Sequence, residues 1–214
     1  MKDPDKPPAH SAREFLPDRI TLTCLQEAAR ACQGCDLYKN ATQTVFGEGR
    51  RSSRVMLVGE QPGNDEDLSG KPFVGPSGRL LDQALQAAGI DRADAYVTNV
   101  VKHFKWTGRG KRRMHKTPGA REIAACMPWL EAEIELIKPV VVVCLGATAA
   151  KALLGRDFRV SVQHGQVLSG PFATRAVATV HPSSILRQPT AEDRRREFEQ
   201  MVADLKVVAG LLAK

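Results

Sequence analysis

The chain holds 214 residues, 43% of them hydrophobic and 26% charged, and its 31 basic residues exceed its 24 acidic ones to leave a formal charge of +7. No run approaches the roughly 18 uninterrupted apolar residues of a membrane-spanning helix, and the opening segment MKDPDKPPAHSAREF lacks the apolar stretch of a secretory signal. These features exclude a helical membrane protein and point to the cytoplasm, where the five cysteines are not expected to form structural disulfides.

Residues 1–17 carry four of the thirteen prolines and little apolar content, which predicts a disordered leader ahead of one domain over 18–214. TLTCLQEAARA then suits a short helix from Leu22 to about Ala31, running into Cys32-Gln33-Gly34-Cys35. The stretch VMLVGEQPG, from Val55 to Gly63, reads as a buried strand ending in a Pro-Gly corner. It would present Gly59, Glu60 and Gln61 at the carboxyl edge of a sheet, where open α/β sheets bind ligands. A long loop from Asn64 to Gly78 follows and carries Phe73. Ser77 is the expected N-cap of a helix running to Ala88, with Leu80, Leu81, Ala84, Leu85 and Ala88 on one face and Gly89 at its end. Ala95–Val101 reads as a second strand, with Asn99 near its carboxyl end.

Between Val100 and Gly119 stand Lys102, Lys105, Arg109, Lys111, Arg112, Arg113 and Lys116, with no acid among them. These seven equal the whole charge excess, and such a concentrated basic loop points to a polyanion. Thr117-Pro118 is the expected cap of a helix to about Ile137, Lys138-Pro139 stops it, and Val140–Leu145 is a central strand. Gly146-Ala147-Thr148 opens a helix to Leu154. Strands are predicted over Phe158–Val167 and Phe172–Val180, the second leading into His181-Pro182-Ser183-Ser184, and a helix from about Ala191 to Leu212 closes the chain. Strands alternating with helices predict an α/β fold, a three-layer sandwich around a mostly parallel sheet. No GxGxxG follows a predicted strand, which argues against a dinucleotide enzyme.

Four motifs, GEQPG, GKPFVGPSG, VTNVVKHFK and HPSSILR, resemble in kind and order those of the family 4 uracil-DNA glycosylases, over most of the chain from Cys32 to Arg187. The segment KRRMHK, Lys111 to Lys116, resembles the loop of the UdgX subgroup, whose members become covalently joined to uracil-containing DNA. The resemblance implies a uracil-DNA glycosylase-like fold, excision of uracil from DNA and a 4Fe–4S iron–sulfur cluster; a monomer acting preferentially on single strands is expected beside it. By motif position it implies Glu60 as the acid/base carboxylate, Gly59 and Gln61 as pocket residues, and Phe73 as the platform stacking on the flipped base. Asn99 would read the polar edge of uracil, His181 would hydrogen-bond its carbonyl, and His115 would attack the sugar. Lys111, Arg112, Arg113, Lys116, Ser183 and Ser184 would contact the DNA.

Those roles are chemically coherent. A base inside a duplex must be extruded and then held by stacking and by edge hydrogen bonds. An asparagine amide offers both an acceptor and donors, which matches N3–H and O4 of uracil and mismatches cytosine. Breaking the glycosidic bond leaves negative charge on the base and positive character on C1′, so a donor at O2 and a nearby carboxylate both help. A histidine joined to C1′ becomes a neutral N-alkyl imidazole, which water does not readily displace. A histidine nucleophile therefore predicts a dead-end cross-link.

Cys32-x-x-Cys35 has metal-ligand spacing. The resemblance adds His103, where the family carries its third cysteine, and Cys126 in the following helix. Cys144 competes with His103, but it lies mid-strand in an apolar run, where a packed thiol is expected. A Cys₃His set would also take zinc, and spacing leaves that choice open. Two other functions fit the same residues. One is an ordinary turnover glycosylase in which water attacks and His115 binds phosphate. The other is a cluster-bearing DNA-binding or redox-sensing protein that removes no base.

Overall fold

The computed structural model describes residues 10–109 and 112–213, so residues 1–9 of the expected leader and Lys111 lie outside the described residues. In chain order the elements are α1 (Leu22–Ala29), β1 (Val55–Gly59), α2 (Asn64–Ser69), α3 (Pro76–Ala88), β2 (Ala95–Asn99), β3 (Trp106–Arg109) and β4 (Arg112–His115). Then come α4 (Ala120–Ile137), β5 (Val141–Leu145), α5 (Ala147–Leu154), α6 (Val160–Gln163), β6 (Leu168–Gly170), β7 (Ala173–Thr179), α7 (Pro182–Leu186) and α8 (Ala191–Leu212). No helix among the described residues is long and apolar enough to cross a membrane.

One five-stranded sheet runs β2-β1-β5-β7-β6, parallel throughout except for the antiparallel edge strand β6. Strand alternation divides its side chains between two cores. Met56, Val58, Val142 and Cys144 face the layer holding Leu25, Trp129, Leu130 and Leu153 of α1, α4 and α5. Val55, Leu57, Val141 and Val143 face the layer holding Leu81, Leu85, Met201 and Leu205 of α3 and α8. Because both faces are covered, the central strands β1 and β5 are apolar at every position, as their continuous runs predict. The expected three-layer α/β sandwich is the observed architecture.

Local chemistry sets most boundaries. Helix α3 starts on Pro76 and stops where Gly89 takes the left-handed conformation (φ +75°), with Leu81, Ala84, Leu85 and Ala88 buried at helical spacing. Its N-cap is Gly75, two residues before the expected Ser77, because the fixed φ of proline preorganises the first helical position. Helix α4 likewise begins after Gly119 rather than at Thr117-Pro118, with Glu122 reaching back to cap it.

Four expectations need correction. Residues Ala12–Phe15, assigned to the leader, form a capped 3₁₀ turn with Ala12 fully buried against the α1/α4 layer. The Asn64–Gly78 loop contains helix α2, whose first-turn acids Asp65, Glu66 and Asp67 suit a helix N-terminus. The basic loop is a hairpin, β3 against β4, with Trp106 opposite His115. The strand expected over Phe158–Val167 is instead the short helix α6, closed by Gly165 at φ +69°, with strand β6 only from Leu168.

Candidate active site

The carboxyl ends of the parallel strands converge on one edge of the sheet, with β5 lying between β1 and β7. Strand β1 delivers Gly59, Glu60 and Gln61, β2 delivers Asn99, and β7 leads through Val180 to His181. A cavity of about 250 Å³ opens there, lined by Gln61, Phe73, Asn99 and His181 among others. That volume lies just under the roughly 300–1,000 Å³ of drug-sized sites and suits a ligand the size of a single base.

Asn99 is 3% exposed, and among the described residues its Oδ1 is the buried side-chain polar atom left without a hydrogen-bond partner. Such an atom costs about 1–3 kcal/mol unless a ligand N–H reaches it. Gly59 makes the arrangement possible: a Cβ there would overlap Asn99 Oδ1 and lie 2.7 Å from Phe73 Cζ. Phe73 itself holds φ +56°, unusual for a non-glycine residue, on a turn closed by Gly78, where any Cβ would overlap the Phe73 carbonyl. Glu66 braces this turn from the side. Its two carboxylate oxygens accept from Gly63 N (3.0 Å) and Gly75 N (2.9 Å).

The His181 ring lies 6.1 Å from that of Phe73, inclined at 29°. Its Nδ1 accepts the Ser183 backbone N–H (3.1 Å) and the Ser183 hydroxyl (2.8 Å), so Nε2 carries the ring proton and is a donor. Burial, with Arg187 and His115 adding to it, holds the ring down to about 4, well below the ordinary 6.5. His181 is thus a neutral donor at physiological pH. Protonation therefore links to stability: the unfolded ring charges as pH falls through 6.5 while the folded one stays neutral to about 4. Stability is expected to be complete above pH 6.5 and to fall between 6.5 and 4. Urea midpoints at pH 7 and pH 5 check this, with His181→Gln losing less than the parent between the two.

A second cavity, of about 480 Å³, adjoins the first and is lined by Glu60 and Thr148, among others, with Gln61, His115, His181, Ser183 and Arg187 shared between them. His115 Nε2 lies 3.5 Å from Glu60 Oε1, and the other oxygen, Oε2, accepts the Thr148 hydroxyl. The His115 side chain is 50% exposed and Glu60 20%, so the pair opens to the cavity rather than being sealed in the core. Burial pushes His115 below the usual histidine range and Arg187 adds to this, against the opposing pull of Glu60. The imidazole is neutral at neutral pH.

Two clamps aim the hairpin that carries His115. At its base the buried Gln61 amide donates to the carbonyls of Lys105 (3.2 Å) and Lys116 (3.1 Å) and accepts from Lys105 N (3.0 Å). Gln61 therefore binds the hairpin as well as lining the pocket. Farther up, Arg113 donates to the fully buried Asp67 (2.6 Å), to Asn64 (2.9 Å) and to Thr42 (3.2 Å), and its guanidinium covers the rings of Phe104 and Trp106. Arg113, expected to reach DNA, turns its Nε and Nη1 hydrogens to acceptors inside the protein. Arg112 begins β4, and Lys116 is exposed beyond its end. Ser184 donates to the His181 carbonyl (2.7 Å), and Ser183 receives Arg187 (3.3 Å), so both serines shape the turn around His181.

Three residues in the site were not singled out from the sequence: Thr148, Arg187 and Glu66. Arg187 could have been found from its i+4 spacing to Ser183, and Glu66 from its position three residues after Gly63, where capping carboxylates sit. Thr148 has no such signal, because its partner Glu60 is 88 residues away.

The expected cluster ligands fit thiolate chemistry in part. Cys32, Cys35 and Cys126 stand close enough to feel one another's charge. Each sulfur meets an N–H donor: Trp129 Nε1 at Cys32 (3.3 Å), Leu37 N at Cys35 and Lys102 N at Cys126 (3.2 Å). Burial raises the Cys35 thiol and pushes Cys126 up to about 12. His103 is buried, which holds it down to about 4, a neutral imidazole able to ligate a metal. The Thr44 hydroxyl spends its hydrogen on the Ala29 carbonyl, so His103 Nε2 must donate to Thr44, and Nδ1 keeps the lone pair. Among the described residues no three His, Cys, Asp or Glu side chains surround one point as ligands of a single ion would. A cubane asks for less, since each of its ligands binds a different iron. Cys144 lies inside the α1/α4 core, where burial lifts its thiol to about 12.

Residues 46–206, spanning the whole sheet and both cavities, match the family described as the uracil DNA glycosylase superfamily. The chain belongs to the uracil-DNA glycosylase superfamily. It is 38% identical over 181 residues to the type-4 uracil-DNA glycosylase of Thermotoga maritima, covering 84% of this chain and 91% of that one. It is 36% identical over 191 residues to the type-4 uracil-DNA glycosylase of Pyrobaculum aerophilum, covering 86% and 92%. A type-5 uracil-DNA glycosylase of Thermus thermophilus is 30% identical over 188 residues, covering 78% and 81%. The glycosylase match begins after Cys32 and Cys35, so those two lie outside the span that defines the superfamily.

Proposed function

We propose that the chain excises uracil from DNA and is then held covalently to the abasic deoxyribose through His115, in the manner of the UdgX subgroup. The observation that carries this reading is the Glu60–His115 pair, 3.5 Å apart, on a cavity that adjoins the orphaned Asn99 acceptor. Asn99 Oδ1 takes N3–H of the flipped base, Phe73 supports its face, and His181 Nε2–H donates to O2. As the C1′–N1 bond breaks, its electron pair leaves with the base, and a bond forms from His115 Nε2 to C1′. The Nε2 proton passes to Glu60 and from there to the departing uracil. The protein is left with a neutral alkyl imidazole and an ionised Glu60, which then lacks a leaving group that water can displace.

The same reading places a 4Fe–4S cluster on Cys32, Cys35, His103 and Cys126. When bound, it would tie the 32–35 turn to α4 and to the segment after β2, and no proton or bond transfer in base removal passes through it. Iron and acid-labile sulfide are expected in the purified protein and lost in Cys126→Ser, with a lowered melting temperature. Zinc in place of iron would correct the group.

The deciding experiment is a denaturing gel of the protein incubated with single-stranded uracil DNA, which spares the cost of opening a duplex. A shifted band that survives boiling is expected. Many turnovers of free uracil without such a band would assign attack to water and leave His115 a phosphate contact.

A further inference from the structure

Glu60 has two carboxylate oxygens, and the proposed chemistry needs one of them free to receive a proton from His115. The structure treats them differently. Oε1 faces His115 Nε2 at 3.5 Å, while Oε2 accepts the hydroxyl of Thr148, which stands in the first turn of α5 and on the same cavity. A threonine so placed commonly caps its own helix or bonds back to the preceding turn. This helix instead has Gly146 at its N-cap, in a left-handed conformation (φ +88°) where a Cβ would lie 2.9 Å from His181 Cβ. The Thr148 hydroxyl reaches across the cavity to Glu60 Oε2. A threonine hydroxyl has one hydrogen, so it can quench the basicity of one oxygen only. The Glu60 backbone is held as well, its carbonyl accepting Val101 N (3.0 Å).

We infer that Thr148 is a positioning residue for Glu60: by donating to Oε2 it holds the carboxylate in one rotamer and leaves Oε1 as the oxygen that serves the reacting group. This rests on the reading of Glu60 as the catalytic carboxylate, whichever nucleophile it assists. Removing a hydrogen bond to a charged group, with the side-chain volume kept, corresponds to about a tenfold to hundredfold loss in rate.

The test compares Thr148→Val, which has the same shape without the hydroxyl, with Thr148→Ser, which keeps the hydroxyl, in the full chain. Single-turnover release of uracil from single-stranded DNA is measured beside DNA affinity, and each variant is repeated with Glu60→Gln. The Val variant is expected to lose about tenfold to a hundredfold in the release rate with affinity unchanged, and the Ser variant to recover most of it. On the Glu60→Gln background the Val change is expected to cost little more, because the two residues act as one unit. A Val variant as fast as the parent overturns the inference. So does a Ser variant as slow as the Val variant, and so does an undiminished Val effect on the Glu60→Gln background. Should the Val variant fold poorly, Thr148→Ala, which also lacks the hydroxyl, replaces it in the same comparison with the Ser variant and in the cycle with Glu60→Gln. Failure of the cross-link alone leaves the inference standing, since uracil release is read independently of the adduct.

Discussion

Glu60→Gln is expected to slow uracil release by about 10²–10⁴-fold, the range over which a positioned acid or base contributes to rate. The two side chains have nearly the same shape, and the amide can still meet Thr148, so fold and DNA affinity should survive. What is lost is charge and basicity. An amide cannot take the proton of His115 Nε2, and it gives no negative potential against the positive character that builds on C1′. Rapid-quench measurement of base release from labelled single-stranded DNA, with affinity measured in parallel, separates the effects. A variant as active as the parent would remove Glu60 from the chemistry and favour a DNA-binding protein that removes no base.

His115→Ala is expected to abolish the boil-resistant adduct altogether, since His115 supplies the imidazole that stands 3.5 Å from Glu60 Oε1 on that cavity, while the Thr148 hydroxyl gives its hydrogen to Oε2. DNA binding should fall only slightly. The hairpin is anchored by Gln61 and by Arg113 on Asp67, neither of which involves the imidazole. Intact mass gives the sharper readout. The parent exposed to uracil DNA should weigh the sum of protein and DNA minus one uracil, and the alanine variant should show protein and DNA apart. Adduct persisting in the variant would move the attacking atom elsewhere. Burial lowers the proton affinity of the ring against the pull of Glu60, and Arg187 lowers it further, so the one proton the parent reaction must remove from it is that on Nε2.

These two residues also mark how far the sequence can be read. Glu60 was legible because it ends an apolar run at a Pro-Gly corner, a local pattern that places a side chain at the carboxyl edge of a sheet. His115 was singled out by resemblance, and its surroundings were misjudged as a loop. The hairpin has few strand-forming residues, and Arg113 of β4 packs on Trp106 of β3 and on Phe104 while bound to an aspartate 46 residues away. The same holds for Arg113 itself. In the sequence it is one of seven cations, and only the fold puts Asp67 within reach.

By itself the sequence determined the layered α/β architecture, the apolar central strands, the limits of α8 at Ala191 and Leu212, and the end of α3 at Gly89. All of these follow from period and local backbone preference, which neighbouring residues along the chain decide between them. The tertiary structure alone decided that Asn99 Oδ1 stays unpaired, that Thr148 reaches Glu60, and that Gln61 binds the hairpin. Each of these depends on side chains from distant segments meeting at one edge of the sheet, and separation along the chain carries no record of that distance.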